Sequence, residues 1–205
     1  MEGECIDMIK DSVNYYETHA EDFAASTVNV DMSKLYVEFE IYLKPGCRIM
    51  DLGCGSGRDS RYFVEKGYDV VAVDPSPAMC KKTKDLAGVT TYALKAEELS
   101  FEDEYDAVWA CASLLHVSRK NQESVLKKIC QALKQDGILY CSWKYGNQER
   151  LENGRSFTDL NDKELNHILL ELPDLKLIKS WLTTDVRPDR PEQKWLNVLL
   201  RKDEG

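Results

Sequence analysis

Residues 49–60 read IMDLGCGSGRDS: an apolar run from Ile49 to Leu52, an acid at Asp51 within it, then glycines at 53, 55 and 57. The run fits a short buried strand, and the glycines fit a sharp turn from that strand into a helix. Without Cβ atoms, such a turn lets a ligand lie against backbone N–H groups at the helix start. The next apolar run, DVVAVD, ends in Asp74, about 20 residues beyond the loop, where a carboxylate can accept both hydroxyls of a ribose. The competing role for Asp74 is local helix capping, for which Ser76 is the other candidate. The glycines are spaced GxGxG rather than GxGxxG, so the third glycine that a dinucleotide's pyrophosphate needs is misplaced. A nucleoside ligand is favoured over a dinucleotide.

Working outward from the loop, RIMDL, DVVAVD, TTYAL, YDAVWAC, GILYCSW and LKLIKSWLTTD read as strands rich in β-branched and aromatic residues, with helical stretches between most of them. Ser76 followed by Pro77 marks a helix start, Ser118 can cap the helix that follows it, and Gly67 and Gly137 stand where helix-ending glycines belong. Alternating strands and helices imply right-handed crossovers and a parallel sheet covered on both faces. The fold class expected is therefore α/β, a Rossmann-like doubly wound sheet. Its last two strands depart from that rule, because VRPDRPEQ between KSWLTTD and KWLNVLLRK is too short and proline-rich for a crossover helix. An antiparallel last strand follows. Upstream, Ile6, Ile9, Val13, Tyr16, Ala20 and Phe23 recur at helical spacing, and a second helix fits DMSKLYVEFEIYL before Pro45-Gly46. Residues 1–205 read as one domain with 1–44 as a helical N-terminal cap.

Composition narrows the function classes. A net charge of -9 disfavours a long phosphate backbone as partner, so nucleic acid is not expected. No apolar run approaches the roughly 18 residues of a membrane span, and the acidic start MEGECIDMIKDS lacks the basic head of a signal peptide. A cytoplasmic location is expected. Seven cysteines (5, 47, 54, 80, 111, 130 and 141) lie scattered, without a CxxC pair or a Cys/His cluster. They read as reduced thiols rather than as a disulfide framework or a zinc site, and no metal is expected.

The sequence resembles the class I S-adenosylmethionine-dependent methyltransferases through MDLGCGSGRDS, VVAVDPSPAM, ALKAEELSFEDEYDAVWACASLLHV and LKQDGILYCSW, in order from about Tyr15 to Lys202. Among small bacterial members it is most similar to the tellurite-resistance and generic small-molecule types. The resemblance implies S-adenosyl-L-methionine as methyl donor, S-adenosyl-L-homocysteine as product, and a helical cap on a Rossmann-like sheet. It also implies that Asp51 and the loop Gly53, Cys54, Gly55 and Gly57 cradle the methionyl part. Asp74 holds the ribose, Pro75 and Met79 border the adenine, and Ala96 and Glu97 lie at its amino group, with Glu98 as the alternative. Cys111 and Ala112 stand beside the cofactor, and Tyr15 and Tyr16 close over its methionine end. Ordinary packing is the competing reading for Met79 and both tyrosines.

Methyl transfer from a sulfonium needs an aligned acceptor, exclusion of water and, where the acceptor carries a proton, a base. His116 is the candidate base, with a structural role as its alternative, while His19 and His167 read as surface residues. Arg187 and Arg190, after the sixth strand, are placed to recognise an anionic acceptor, unless they pair with Asp185, Asp189 or Glu192. Trp143, Lys144 and Arg155 complete the expected acceptor pocket. The reading is thus a small-molecule methyltransferase with an anionic acceptor. An RNA or protein methyltransferase, a non-catalytic cofactor-binding module and an NAD-dependent oxidoreductase are the alternatives.

Overall fold

The computed structural model describes residues 12–187 and 192–203. A helical stretch over 12–18 leads into α1 (Ala20–Thr27) and α2 (Ser33–Glu40), then β1 (Arg48–Leu52), α3 (Arg58–Glu65), β2 (Asp69–Val73), α4 (Pro77–Ala87) and β3 (Thr90–Tyr92). There follow β4 (Tyr105–Ala110), α5 (Gln122–Ala132), β5 (Leu133–Lys144), the hairpin β6 (Glu149–Glu152) and β7 (Arg155–Thr158), α6 (Asp162–Leu170), β8 (Leu175–Thr184) and β9 (Lys194–Lys202). Seven strands form one sheet in the order β3-β2-β1-β4-β5-β9-β8. Strands β1 to β5 pair in parallel, and β9 runs antiparallel between β5 and β8. The doubly wound sheet with an antiparallel last strand is as the sequence implies.

Both faces of the sheet are buried, and alternation along each strand divides its side chains between two cores. Met50, Leu52, Val71, Val73 and Leu139 face Val125, Leu126 and Ile129 of α5. On the other face, Ile49, Val70, Ala72 and Trp109 meet Tyr36 and Phe39 of α2 and Phe63 of α3. There Trp109 stacks on Tyr140 at 4.1 Å between ring centroids, and Phe39 lies 5.1 Å from Trp109. Each such buried ring contributes about 2–3 kcal/mol by the apolar area it removes from water.

Helix ends follow the local chemistry. The Ser76 hydroxyl accepts from the Met79 N–H at 3.2 Å with Pro77 in the first turn, and Gly67 turns the chain after α3 at φ 88°. Three expectations change. The first helix is interrupted at His19, although the Phe23 N–H still reaches the His19 carbonyl at 2.9 Å; its start, 6–11, lies outside the described residues. Ser118 precedes a single 3-10 turn, and its buried hydroxyl has no hydrogen-bond partner. Gly137 does not end α5, which stops at Ala132; Asp136 takes the left-handed conformation at φ 62° inside β5, and a Cβ on Gly137 would meet the Lys134 carbonyl at 2.7 Å. The β6–β7 hairpin was not foreseen. Asn153 and Gly154 turn it with φ of 51° and 72°, as a two-residue type I′ turn requires.

Candidate active site

The glycine loop leaves β1 at the carboxyl edge of the sheet. Gly53 and Cys54 donate their backbone N–H groups to the Val73 carbonyl at 2.7 and 3.1 Å, which locks the turn against β2. Gly53 has φ 81°, and a Cβ there would stand 2.2 Å from Ser113 Oγ, so only glycine fits. At the end of β2, Asp74 is 7% exposed; it accepts from the Gly55 N–H at 3.0 Å and the Ser76 N–H at 2.9 Å. Burial outweighs those two bonds and raises its carboxyl to about 6. Each carboxylate oxygen keeps a lone pair for a further donor.

Behind the loop lies a second, saturated acid. Asp59 accepts from Tyr36 Oη at 2.5 Å, Arg58 Nε at 2.6 Å, Arg58 Nη2 at 2.9 Å and Trp109 Nε1 at 2.8 Å. The arginine holds its carboxyl below the usual range despite burial. Asp51, buried beside it and bonded to the Ser60 hydroxyl at 2.5 Å, is pushed up to about 8 by burial and by the Asp59 charge.

From the loop a cavity of about 260 Å³ runs to the ends of β5, β7 and β8. His116, after β4, stands in its wall. The Ser156 carbonyl can only accept, so the 2.7 Å contact to His116 Nδ1 places the ring proton there; Nε2 then accepts from Tyr16 Oη at 2.8 Å. Burial lowers the imidazole to about 4 and raises the Tyr16 hydroxyl to about 12, so both are neutral at pH 7. Three cations gather on the Phe157 ring, with Lys144 Nζ at 3.8 Å and the Arg155 and Arg150 guanidinium carbons at 5.3 and 5.5 Å from its centre. Arg187 is held by Asp185 through two bonds, Nε at 2.9 Å and Nη2 at 2.6 Å, and Asp185 also accepts from Trp195 Nε1 at 3.1 Å.

Most of the expected site residues meet in this one cavity. Tyr16, Gly53, Cys54, Gly55, Asp74, Pro75, Met79, Ala96, Glu97, Cys111, Ala112, His116, Lys144, Arg155 and Arg187 line it. Others stand elsewhere. Asp51 is buried against Ser60, and Gly57 caps α3 close against Thr83; Tyr15 stacks on His19 with Arg155 over its ring. Trp143 is fully buried in the core and directs its indole N–H to Gln122 at 3.3 Å, because alternation along β5 turns it away from Lys144. Glu98 caps its own 3-10 turn through the Lys95 N–H. Arg190 lies outside the described residues. For Arg187 the structure shows the alternative, its pairing with Asp185. Sequence reasoning missed Arg58, Asp59, Ser113, Phe157 and Trp195. Of these only Asp59 left a local trace, as an acid in the first turn of a helix. Among the described residues no cluster of His, Cys, Asp or Glu is arranged to hold a metal, and the six described cysteines form no disulfide with one another; Cys5 lies outside. No described helix is long and apolar enough to cross a membrane.

The sheet order, the glycine loop at the edge of β1 and the acid ending β2 define a nucleoside-binding fold of the Rossmann-like type. Residues 49–137 match the family model of a methyltransferase domain. An uncharacterised methyltransferase of Synechocystis is 32% identical over 99 residues, 47% of each chain. A probable S-adenosyl-L-methionine-dependent methyltransferase of Haemophilus influenzae, TehB, is 28% identical over 88 residues, 40% of this chain and 31% of its own. The chain spans about half the length of the curated relatives it matches. In fold it is similar to the 1,6-didemethyltoxoflavin-N1-methyltransferase of Burkholderia thailandensis, solved with 1,6-didemethyltoxoflavin and S-adenosylhomocysteine. There the TM-score is 0.77 at 22% identity, over 99% of this chain and 90% of that one. Over residues 49–137 the chain matches the methyltransferase-domain family, and its fold is that of the class I methyltransferases.

Proposed function

We propose that the protein transfers a methyl group from S-adenosylmethionine to a small, negatively charged molecule. The observation that carries this reading is the single cavity that joins the Gly53–Gly55 and Asp74 cradle to a wall of cations. Asp74, which keeps lone pairs for two ribose hydroxyls at the end of β2, supports the cofactor's place in this cradle. In this reading Pro75 and Met79 border the adenine, Ala96 and Glu97 face its amino edge, and Cys111 and Ala112 stand beside the sulfur. The cofactor supplies a methyl carbon on a sulfonium, open to in-line attack. The chain's own residues orient the acceptor and keep water out, which suffices for the transfer when the acceptor atom bears a free lone pair. Neutral His116, with its tautomer set by Ser156, takes a proton through Nε2 only after releasing Tyr16. Arg155, Lys144 and Arg187 hold the acceptor's charge. A small molecule seated with S-adenosylhomocysteine in a neighbour of the same fold supports the same division of the cavity.

Calorimetry with S-adenosylhomocysteine, followed by a metabolite panel scored for S-adenosylhomocysteine release from S-adenosylmethionine, tests the reading. Saturable binding and turnover of an anionic metabolite are expected. Absence of binding, or preferential stabilisation by NAD, overturns it.

A further inference from the structure

We infer, resting on that methyl-transfer reading, that the acceptor is an organic acid with a planar conjugated body, and that its carboxylate seats on Arg155. Four cations line the cavity away from its Ala96 end: Arg58, Lys144, Arg155 and Arg187. Two are forked onto a protein carboxylate, Arg58 on Asp59 and Arg187 on Asp185. Lys144 has Glu152 at 3.9 Å. Arg155 differs. Its guanidinium carbon lies 4.6 Å from the Tyr15 ring centre and 5.3 Å from that of Phe157, and among the described residues it forms no carboxylate ion pair. Its Nε is buried without a hydrogen-bond partner. A desolvated donor left unmade is costly, and an arginine fork is matched best by the two oxygens of a carboxylate.

The rest of the wall sets the body of the molecule. Tyr16, Phe23, Met32, Leu35, Phe157 and Trp195 line the cavity around these cations. A small inorganic oxyanion would satisfy the charge and leave that apolar surface unused. A planar ring carrying a carboxylate covers it, with the acid end at Arg155 and the ring along the aromatic wall. The hairpin turned by Asn153 and Gly154 therefore acts as the specificity element, since it alone delivers Arg155 and Phe157 to the cavity.

Benzoate serves as the probe, titrated into protein saturated with S-adenosylhomocysteine and read by calorimetry and by the Arg155 Nε–H resonance. Saturable binding with a shift of that resonance is expected, and R155Q should weaken it by about tenfold or more. R155K, which keeps charge without the fork, should fall between, and R187Q should weaken binding less than R155Q. Benzyl alcohol, which has the ring alone, and sulfate, which has the charge alone, should each bind more weakly than benzoate. The inference is overturned if benzoate does not bind the loaded protein, if R155Q or R155K binds it as wild type does, or if sulfate or benzyl alcohol matches it. Should R155Q fail to fold, R155K alone decides. Failure of S-adenosylhomocysteine itself to bind overturns the methyltransferase reading, and the benzoate titration on unloaded protein then still decides whether Arg155 is an anion seat.

Discussion

A buried carboxylate that must stay ionised to hold its ligand responds to pH as a surface acid does not. Burial raises the Asp74 carboxyl to about 6, and in the proposed reading ribose hydroxyls donating to it favour its ionised form. S-adenosylhomocysteine affinity should therefore be level above neutrality and fall by about tenfold per unit below pH 6. Calorimetry across that range checks it: D74N should bind weakly at every pH, and a wild-type profile that stays level down to pH 5 contradicts the assignment. At His116 the shift is downward, yet its contribution too is lost as pH falls. Its imidazole drops from an ordinary 6.5 to about 4 on folding, so the unfolded chain binds the extra proton first. Stability from this group is full above pH 6.5 and is lost as pH falls through that window towards 4, by about 3 kcal/mol at most. Denaturant titrations of H116Q should show a shallower loss over that window than wild type; parallel curves would disprove it. Asp74 was legible because the loop and the acid lie on consecutive strands, within one local unit. The Arg58–Asp59 fork and the Phe157 cation cluster were not, and the Asp185–Arg187 clamp was legible only as one of two alternatives, because ion pairing is settled by rotamers and burial rather than by spacing.

Among the elements, the glycine turn is the most constrained. Gly53→Ala combines φ 81° with a clash on Ser113, and should cost about 2 kcal/mol or more of stability and abolish S-adenosylhomocysteine binding. Adding S113G should return the steric share but not the backbone share. Thermal melts of the single and double variants separate the two, and a G53A protein as stable as wild type would show that the turn is more plastic than drawn. The parallel strands were readable from their apolar runs and the helix starts from Ser76-Pro77. The β6–β7 hairpin was less so, although Asn153-Gly154 is a strong turn signal, because its strands are polar and four residues long each and carry no apolar period. Gly137 misled for a related reason: a glycine after a helix is usually its terminator, but here it relieves a close approach to Lys134 inside a strand.

For the whole molecule, the insertion of β9 between β5 and β8 makes the sheet cooperative across a wide stretch of sequence. Leu196, Val198 and Leu200 of β9 belong to the same core as Met50 and Val71 at the other side of the sheet. L196A should lose about 2–5 kcal/mol, a cost shared by every probe of unfolding, and a chain ended before Lys194 should show no cooperative transition. Independent unfolding of the β3-β2-β1-β4 half in L196A would count against this. The order of strands on the sheet also has a consequence in time. β5 is complete at Lys144 and its partner begins only at Lys194, so about 50 further residues must be made before that edge can close. At roughly 5–20 residues per second, a ribosome leaves a row of unpaired amides and the apolar face around Cys141 and Trp143 open for about 3–10 seconds. Every newly made copy thus passes through an interval in which a neighbouring nascent chain can take the place reserved for its own last strand.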